Sequence, residues 1–123
     1  FTEAPSGIIG LETAFALGCM NLVEPGHLTL LQLVQRMSTE AAKLYQLDAG
    51  SIKEDKLADL TIFDPAQSWA YLVPESKSTN SPWLGKTLRG KVLLTICAGR
   101  IVYEDDRLFA GRKLPIGSKK KEL

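Results

Sequence analysis

The residue types that carry most enzyme chemistry are thinly spread in this sequence. It holds one histidine, His27, and two cysteines, Cys19 and Cys97, far apart. A metal centre needs converging His, Cys, Asp or Glu ligands, usually with one pair close in sequence. A lone histidine just after the Pro25-Gly26 break reads instead as a solvated loop residue. No Ser-His-Asp or Cys-His arrangement can be built around it, because Cys19 sits in an apolar run where a thiolate is disfavoured. Gly7 and Gly10 lack the spacings of phosphate-cradling loops. Neither catalysis nor a metal site is expected from these residues alone.

Two features remain. Glu12 lies in the same apolar run, and a carboxylate taken out of water must be paired or hydrogen-bonded, so a polar groove or helix-end donors account for it better than a catalytic role. The other feature is the turn Glu3-Ala4-Pro5-Ser6-Gly7. Pro5 fixes its own φ and lacks an N–H, while Gly7 permits close backbone approach and unusual dihedrals. Backbone donors and acceptors in such a loop suit a small amide-bearing or anionic ligand. An ordinary entry into a helix fits the same residues equally well.

Several elements must position these groups. From Ile8 to Val23 apolar residues fall on nearly every side of a helical wheel, which predicts a helix enclosed by other structure. Thr29 with Gln32 three positions later is a capping-box signature, and Leu30, Leu33, Val34 and Met37 then follow a helical stripe. Ser38-Thr39 restarts the helix, which Asp48-Ala49-Gly50 ends. Beyond Gly50 the period changes to that of strands. "ADLTIFDP" reads as a strand closed by Asp64-Pro65, with Asp59 and Asp64 as turn caps. "WAYLV", Trp69 to Val73, reads as a second strand, and "KVLLTICAGRIVYED" as a hairpin turning near Ala98-Gly99-Arg100. Between them the Ser-, Pro- and Gly-rich "PESKSTNSPWLGKTLRG" is a loop of the length that tends to be functional or to pack over something. Trp69 and Trp83 are expected to pack, not to stack on bases.

Composition limits the partners. Fifteen basic and fourteen acidic side chains leave a net charge of +1, so no strong field attracts nucleic acid or a membrane surface. The two cysteines in apolar settings suggest reduced, buried thiols and a cytoplasmic protein. No apolar run reaches membrane-spanning length, because Glu12 and Asn21 interrupt the best candidate, and no signal-peptide pattern opens the chain. The helical half has too few partners to bury its apolar surface, and with the Phe1 start this reads as a fragment.

Three segments, in order, then carry a resemblance: "EAPSGIIGLETAF", "LTLLQLVQRMSTEAAKLYQLDAGSIKEDKLADLTIFDP" and "SKSTNSPWLGKTLRGKVLLTICAGRIVYED". Together they resemble the carboxyl-terminal part of bacterial dihydroorotases of the hydantoinase-related class. Ala-Pro-x-Gly-Ile-x-Gly-Leu-Glu-Thr and Ser-Lys-Ser-x-Asn-Ser-Pro point to dihydroorotase over hydantoinase or allantoinase. Asp55 stands where relatives commonly have Gly, a turn that Asp tolerates, and Glu40-Ala41 replaces a common Asn-Pro.

The resemblance implies an α/β fold, the end of an amidohydrolase (β/α)8 barrel followed by strands of a small β-domain. Residues 1–48 would be the last loop and helices of the barrel, 49–110 the C-terminal part of the β-domain, and 111–123 a basic tail. It implies the interconversion of dihydroorotate and N-carbamoyl-L-aspartate in pyrimidine biosynthesis, by a zinc hydrolase. The zinc ligands and catalytic aspartate of the family lie upstream of Phe1, so this segment is expected to bind no metal and to be inactive alone. Carried over, Ala4, Pro5 and Gly7 are the substrate-binding residues of the last barrel loop. Implied partners are the missing N-terminal part of the same protein, further copies in a homo-oligomer, and aspartate transcarbamoylase. A noncatalytic dihydroorotase-like partner of that enzyme, or another cyclic amidase, are the alternatives.

Overall fold

The computed structural model describes residues 7–106. Ala4, Pro5 and the tail beyond Asp106 lie outside the described residues. Helix α1 (Ala14–Gly18) continues without a break into a π-helical segment, Cys19–Val23, whose wider turn is closed by the Glu24 N–H donating to the Cys19 carbonyl at 2.9 Å. The helix starts six residues later than the apolar pattern predicts. Its first turn is built on the Gly10 carbonyl, which accepts from Thr13 and Ala14, while the backbone before Gly10 is bonded elsewhere.

Helix α2 (Leu30–Val34) begins at the predicted capping box: the Thr29 hydroxyl accepts from the Gln32 N–H at 3.2 Å, and the Gln32 side chain accepts from the Thr29 N–H at 2.8 Å. No restart occurs at Ser38-Thr39. A π-helical segment, Gln35–Thr39, instead carries the chain directly into α3 (Glu40–Leu44). The helix stops before Asp48-Ala49-Gly50, where Gln46 turns left-handed at φ 54°. Leu33 on α2 is buried against Gly18, where any side chain would meet its methyls.

The sheet is an antiparallel meander in the order β1-β2-β3. Strand β1 (Leu60–Ala70) runs through Asp64-Pro65 instead of ending there, and the separate strand expected at Trp69–Val73 is partly its continuation. The reason is a bulge. Between the pairs Asp64↔Lys91 and Ser68↔Arg89, β1 has more residues than its partner, so Pro65 occupies a place where no ladder donor is needed. The Asp64 carboxylate accepts from the Ala66 N–H at 2.8 Å within the bulge. Strand β2 (Thr87–Cys97) starts earlier than expected and takes up the end of the predicted loop. It turns through Ala98-Gly99, both at positive φ, into β3 (Arg100–Glu104). Asp59 caps this hairpin, accepting from the Ala98 N–H at 2.7 Å, and Asp55 adopts the left-handed φ of 61°.

Helices and sheet share one core. Ala16 on α1, Leu88 on β2 and Tyr71 just after β1 are buried together, with Leu17, Met20, Trp69 and Trp83 packed around them. Gly90 makes this contact possible. It holds φ at 97°, and a Cβ there would lie 3.1 Å from the Cys19 sulfur and 3.4 Å from the Ala16 backbone. The helix therefore rests directly on bare strand backbone. Cys19 is buried in this seam, but Cys97, expected to be buried, is exposed where β2 enters the Ala98-Gly99 turn. The apolar residues Leu11 (97% exposed), in the turn before α1, and Leu31 and Leu44 on the helices remain exposed. Among the described residues no helix is long and apolar enough to cross a membrane.

Candidate functional site

The chain segment before α1 is held by hydrogen bonds more than by packing. Gly7 is exposed at φ 125°, and a Cβ placed there would have no atom within 4 Å. Its carbonyl accepts from the Asn80 side-chain amide, and the Ile9 N–H donates to the Asn80 carbonyl at 2.9 Å. One residue thus grips both ends of a three-residue stretch. Farther on, the half-buried Glu12 carboxylate accepts from two successive backbone N–H groups, Glu75 and Ser76, each at 3.0 Å. Charge-assisted bonds to two amides are the pairing that the sequence requires of this carboxylate. Thr13, buried, closes the turn by donating to the Gly10 carbonyl at 3.3 Å.

The segment that supplies these partners, 71–86, is anchored at its base. Tyr71 donates its N–H to the Lys86 carbonyl at 3.0 Å and accepts from the Gly85 N–H at 2.7 Å, so the connection leaves and re-enters the sheet at one buried residue. Trp83 packs into the core, and short turns at Ser78–Asn80 and Thr79–Ser81 stiffen the tip. Asn80 is therefore presented toward Gly7 from a founded loop.

Between α1 and the sheet lies a cleft of about 320 Å³ whose walls include Phe15, Trp69, Tyr71 and Tyr103, with Glu12, Glu75 and Lys91 as its charged residues. Lys91 is already engaged. It pairs with Asp105 at 3.4 Å and lies 4.4 Å above the Trp69 ring. Burial, and then the Glu12 carboxylate as charge and hydrogen-bond partner, raises the Tyr71 phenol above its ordinary value. Burial and Glu24 likewise raise the Cys19 thiol, so neither group is primed as a nucleophile.

Of the predicted site residues the structure places Gly7, on the exposed loop that Asn80 grips, while Ala4 and Pro5 lie outside the described residues. His27 is exposed, and among the described residues no three His, Cys, Asp or Glu side chains converge to hold a metal ion. The partners that sequence reasoning did not single out are Asn80 and the Glu75 and Ser76 amides. Their signal was present in the Ser-Lys-Ser-x-Asn-Ser-Pro run, but nothing local tells which carbonyl that asparagine faces.

The sequence profile of the amidohydrolase family matches residues 3–102. The chain belongs to that family. This amidohydrolase chain is 53% identical over 103 residues to a dihydroorotase of Clostridioides difficile, covering 84% of this chain and 24% of that protein. It is 50% identical to dihydroorotases of Clostridium acetobutylicum, over 85% of this chain and 25% of the relative, and of Lactococcus lactis, over 83% and 24%. It thus spans about a quarter of the length of the curated relatives it matches. A D-hydantoinase structure from a Bacillus species is similar at 30% identity with a TM-score of 0.54, covering 68% of this chain and 19% of that one.

Proposed function

We propose that this amidohydrolase chain is the substrate-loop end of a dihydroorotase, acting with the roughly three quarters of the relatives' length that it does not span. One observation carries the reading: identity of about half to dihydroorotases over more than four fifths of the chain, against 30% to the D-hydantoinase. In this reading α1 to α3 belong to the end of a (β/α)8 barrel, the meander completes a small β-domain, and Ala4, Pro5 and Gly7 offer backbone groups to the pyrimidine amide. In this reading the zinc ligands belong to the part of the enzyme outside this chain. The chain's own part is to bind and orient the ring that is opened to N-carbamoyl-L-aspartate.

The test is a chimera. The aligned 103 residues of this chain replace their counterparts in the Clostridioides difficile dihydroorotase. Metal-dependent turnover of dihydroorotate is expected. A folded, zinc-loaded chimera that opens hydantoins and not dihydroorotate would place the chain with other cyclic amidases, and one inactive on both would favour a noncatalytic partner. The coding sequence upstream of Phe1 adds a second check, because a retained His-x-His pair supports the enzyme.

A further inference from the structure

We propose that Asn80 is a positioning residue for the substrate-facing loop: its side-chain amide and its own carbonyl together fix Gly7 and Ile9, and so set the loop that precedes α1. The inference rests on the reading of Ala4, Pro5 and Gly7 as substrate contacts, and adds to it the residue that holds Gly7.

Three observations converge. First, Gly7 stands in open space among the described residues: a Cβ there would meet none of their atoms within 4 Å, and its φ of 125° is one that side chains rarely adopt. An exposed glycine in open space has many backbone conformations, so its position depends on what bonds its peptide groups. Second, Asn80 supplies those bonds in both senses, donating from Nδ2 to the Gly7 carbonyl and accepting at its main-chain oxygen from Ile9 at 2.9 Å. The pairing is the least a loop needs to be held against both twist and slide. Third, Asn80 is itself well founded. The connection that bears it is closed at buried Tyr71, weighted by Trp83 in the core, and tied a second time to the same segment through Glu12 with Glu75 and Ser76. The 71–86 connection is thus a two-point brace, with Asn80 at the point that holds Gly7.

The chemistry dictates an order of substitutions that bulk alone does not. Asn80→Ala deletes the donor to Gly7 and keeps the main-chain bond to Ile9. Asn80→Asp keeps the size but points a carboxylate at a carbonyl oxygen, turning attraction into repulsion. In the chimera, loss of one such bond is expected to raise the KM for dihydroorotate about two- to tenfold. Asn80→Asp is expected to be worse than Asn80→Ala, with kcat and zinc content changed far less than KM. Equal KM values for all three proteins overturn the proposal. So does the reverse order, Asp mild and Ala severe with a lower thermal midpoint, which marks Asn80 as a packing residue. Amide hydrogen exchange over residues 7–13 of the chain gives a reading that does not depend on turnover. Exchange there is expected to quicken in both variants, and unchanged exchange refutes the brace even in a chimera that has no activity. A wild-type chimera that is inactive, yet shows quickened exchange in both variants, sustains the brace and removes the substrate assignment instead.

Discussion

Replacing Gly90 by alanine tests the seating of α1 on the sheet. The added methyl would lie 3.1 Å from the Cys19 sulfur and 3.2 Å from its Cβ, with the Ala16 backbone behind them at 3.4 Å. A non-glycine residue at a φ of 97° costs about 1–3 kcal/mol. Forcing the methyl into a packed seam adds about 1–3 kcal/mol, less about 0.4–1 kcal/mol recovered from a stiffer unfolded chain. The net destabilisation is about 1–6 kcal/mol. Gly99→Ala is the control, because Gly99 has a similar φ of 75° but nothing within 4 Å of its Cβ position. It carries the backbone strain without the collision.

The assay uses the chain's own thiols. Cys19 is buried and Cys97 exposed, so a Cys97→Ser background leaves a single protected sulfur that a thiol reagent reaches only when α1 lifts off β2. If lifting is in rapid equilibrium, a loss of about 2 kcal/mol raises the labelling rate roughly thirtyfold, and larger losses raise it further. Urea denaturation should show Gly90→Ala shifted to a lower midpoint than Gly99→Ala. Labelling of Cys19 that is no faster in Gly90→Ala than in Gly99→Ala would refute the argument that the helix rests on bare backbone at Gly90.

Ala98 takes a left-handed φ of 49° in the hairpin, so Ala98→Asn is expected to stabilise the chain by about 0.5–1 kcal/mol, seen as a higher urea midpoint. Glu12→Gln removes the charge that helps raise the Tyr71 phenol, and phenolate absorbance should show one tyrosine ionising at lower pH than before, still held up by burial. Folded Cys19 keeps a proton that the unfolded chain releases, so the unfolded state binds fewer protons as pH rises past the ordinary thiol value and stability falls. Cys19→Ala should remove that slope in denaturation midpoints, and the further decline from Tyr71 should begin only above about pH 10.

The parts of this fold that were legible in the sequence are those whose partners are a few residues away. The Thr29–Gln32 box, the Ala98-Gly99 turn and the Asp64 cap each follow from neighbours and backbone geometry, while the left-handed Asp55 was legible only through the resemblance, as a position where relatives commonly have Gly. Pro65 misled because its rule, that proline closes a strand, assumes a regular ladder, and the bulge that exempts it is a property of the pairing with β2. The start of α1 misled for the same kind of reason. Ile8 and Ile9 have helical spacing, but the Gly7 carbonyl, which would accept the first bond of a helix begun there, is taken by the side-chain amide of Asn80, more than sixty positions later in the chain. The resemblance to dihydroorotases presented Gly-Ile-x-Gly-Leu-Glu-Thr and Ser-Lys-Ser-x-Asn-Ser-Pro as separate signatures. In three dimensions they meet, through Asn80 with Gly7 and Ile9 at one end and Glu12 with Glu75 and Ser76 at the other. A substitution in the second run should therefore be felt in the first.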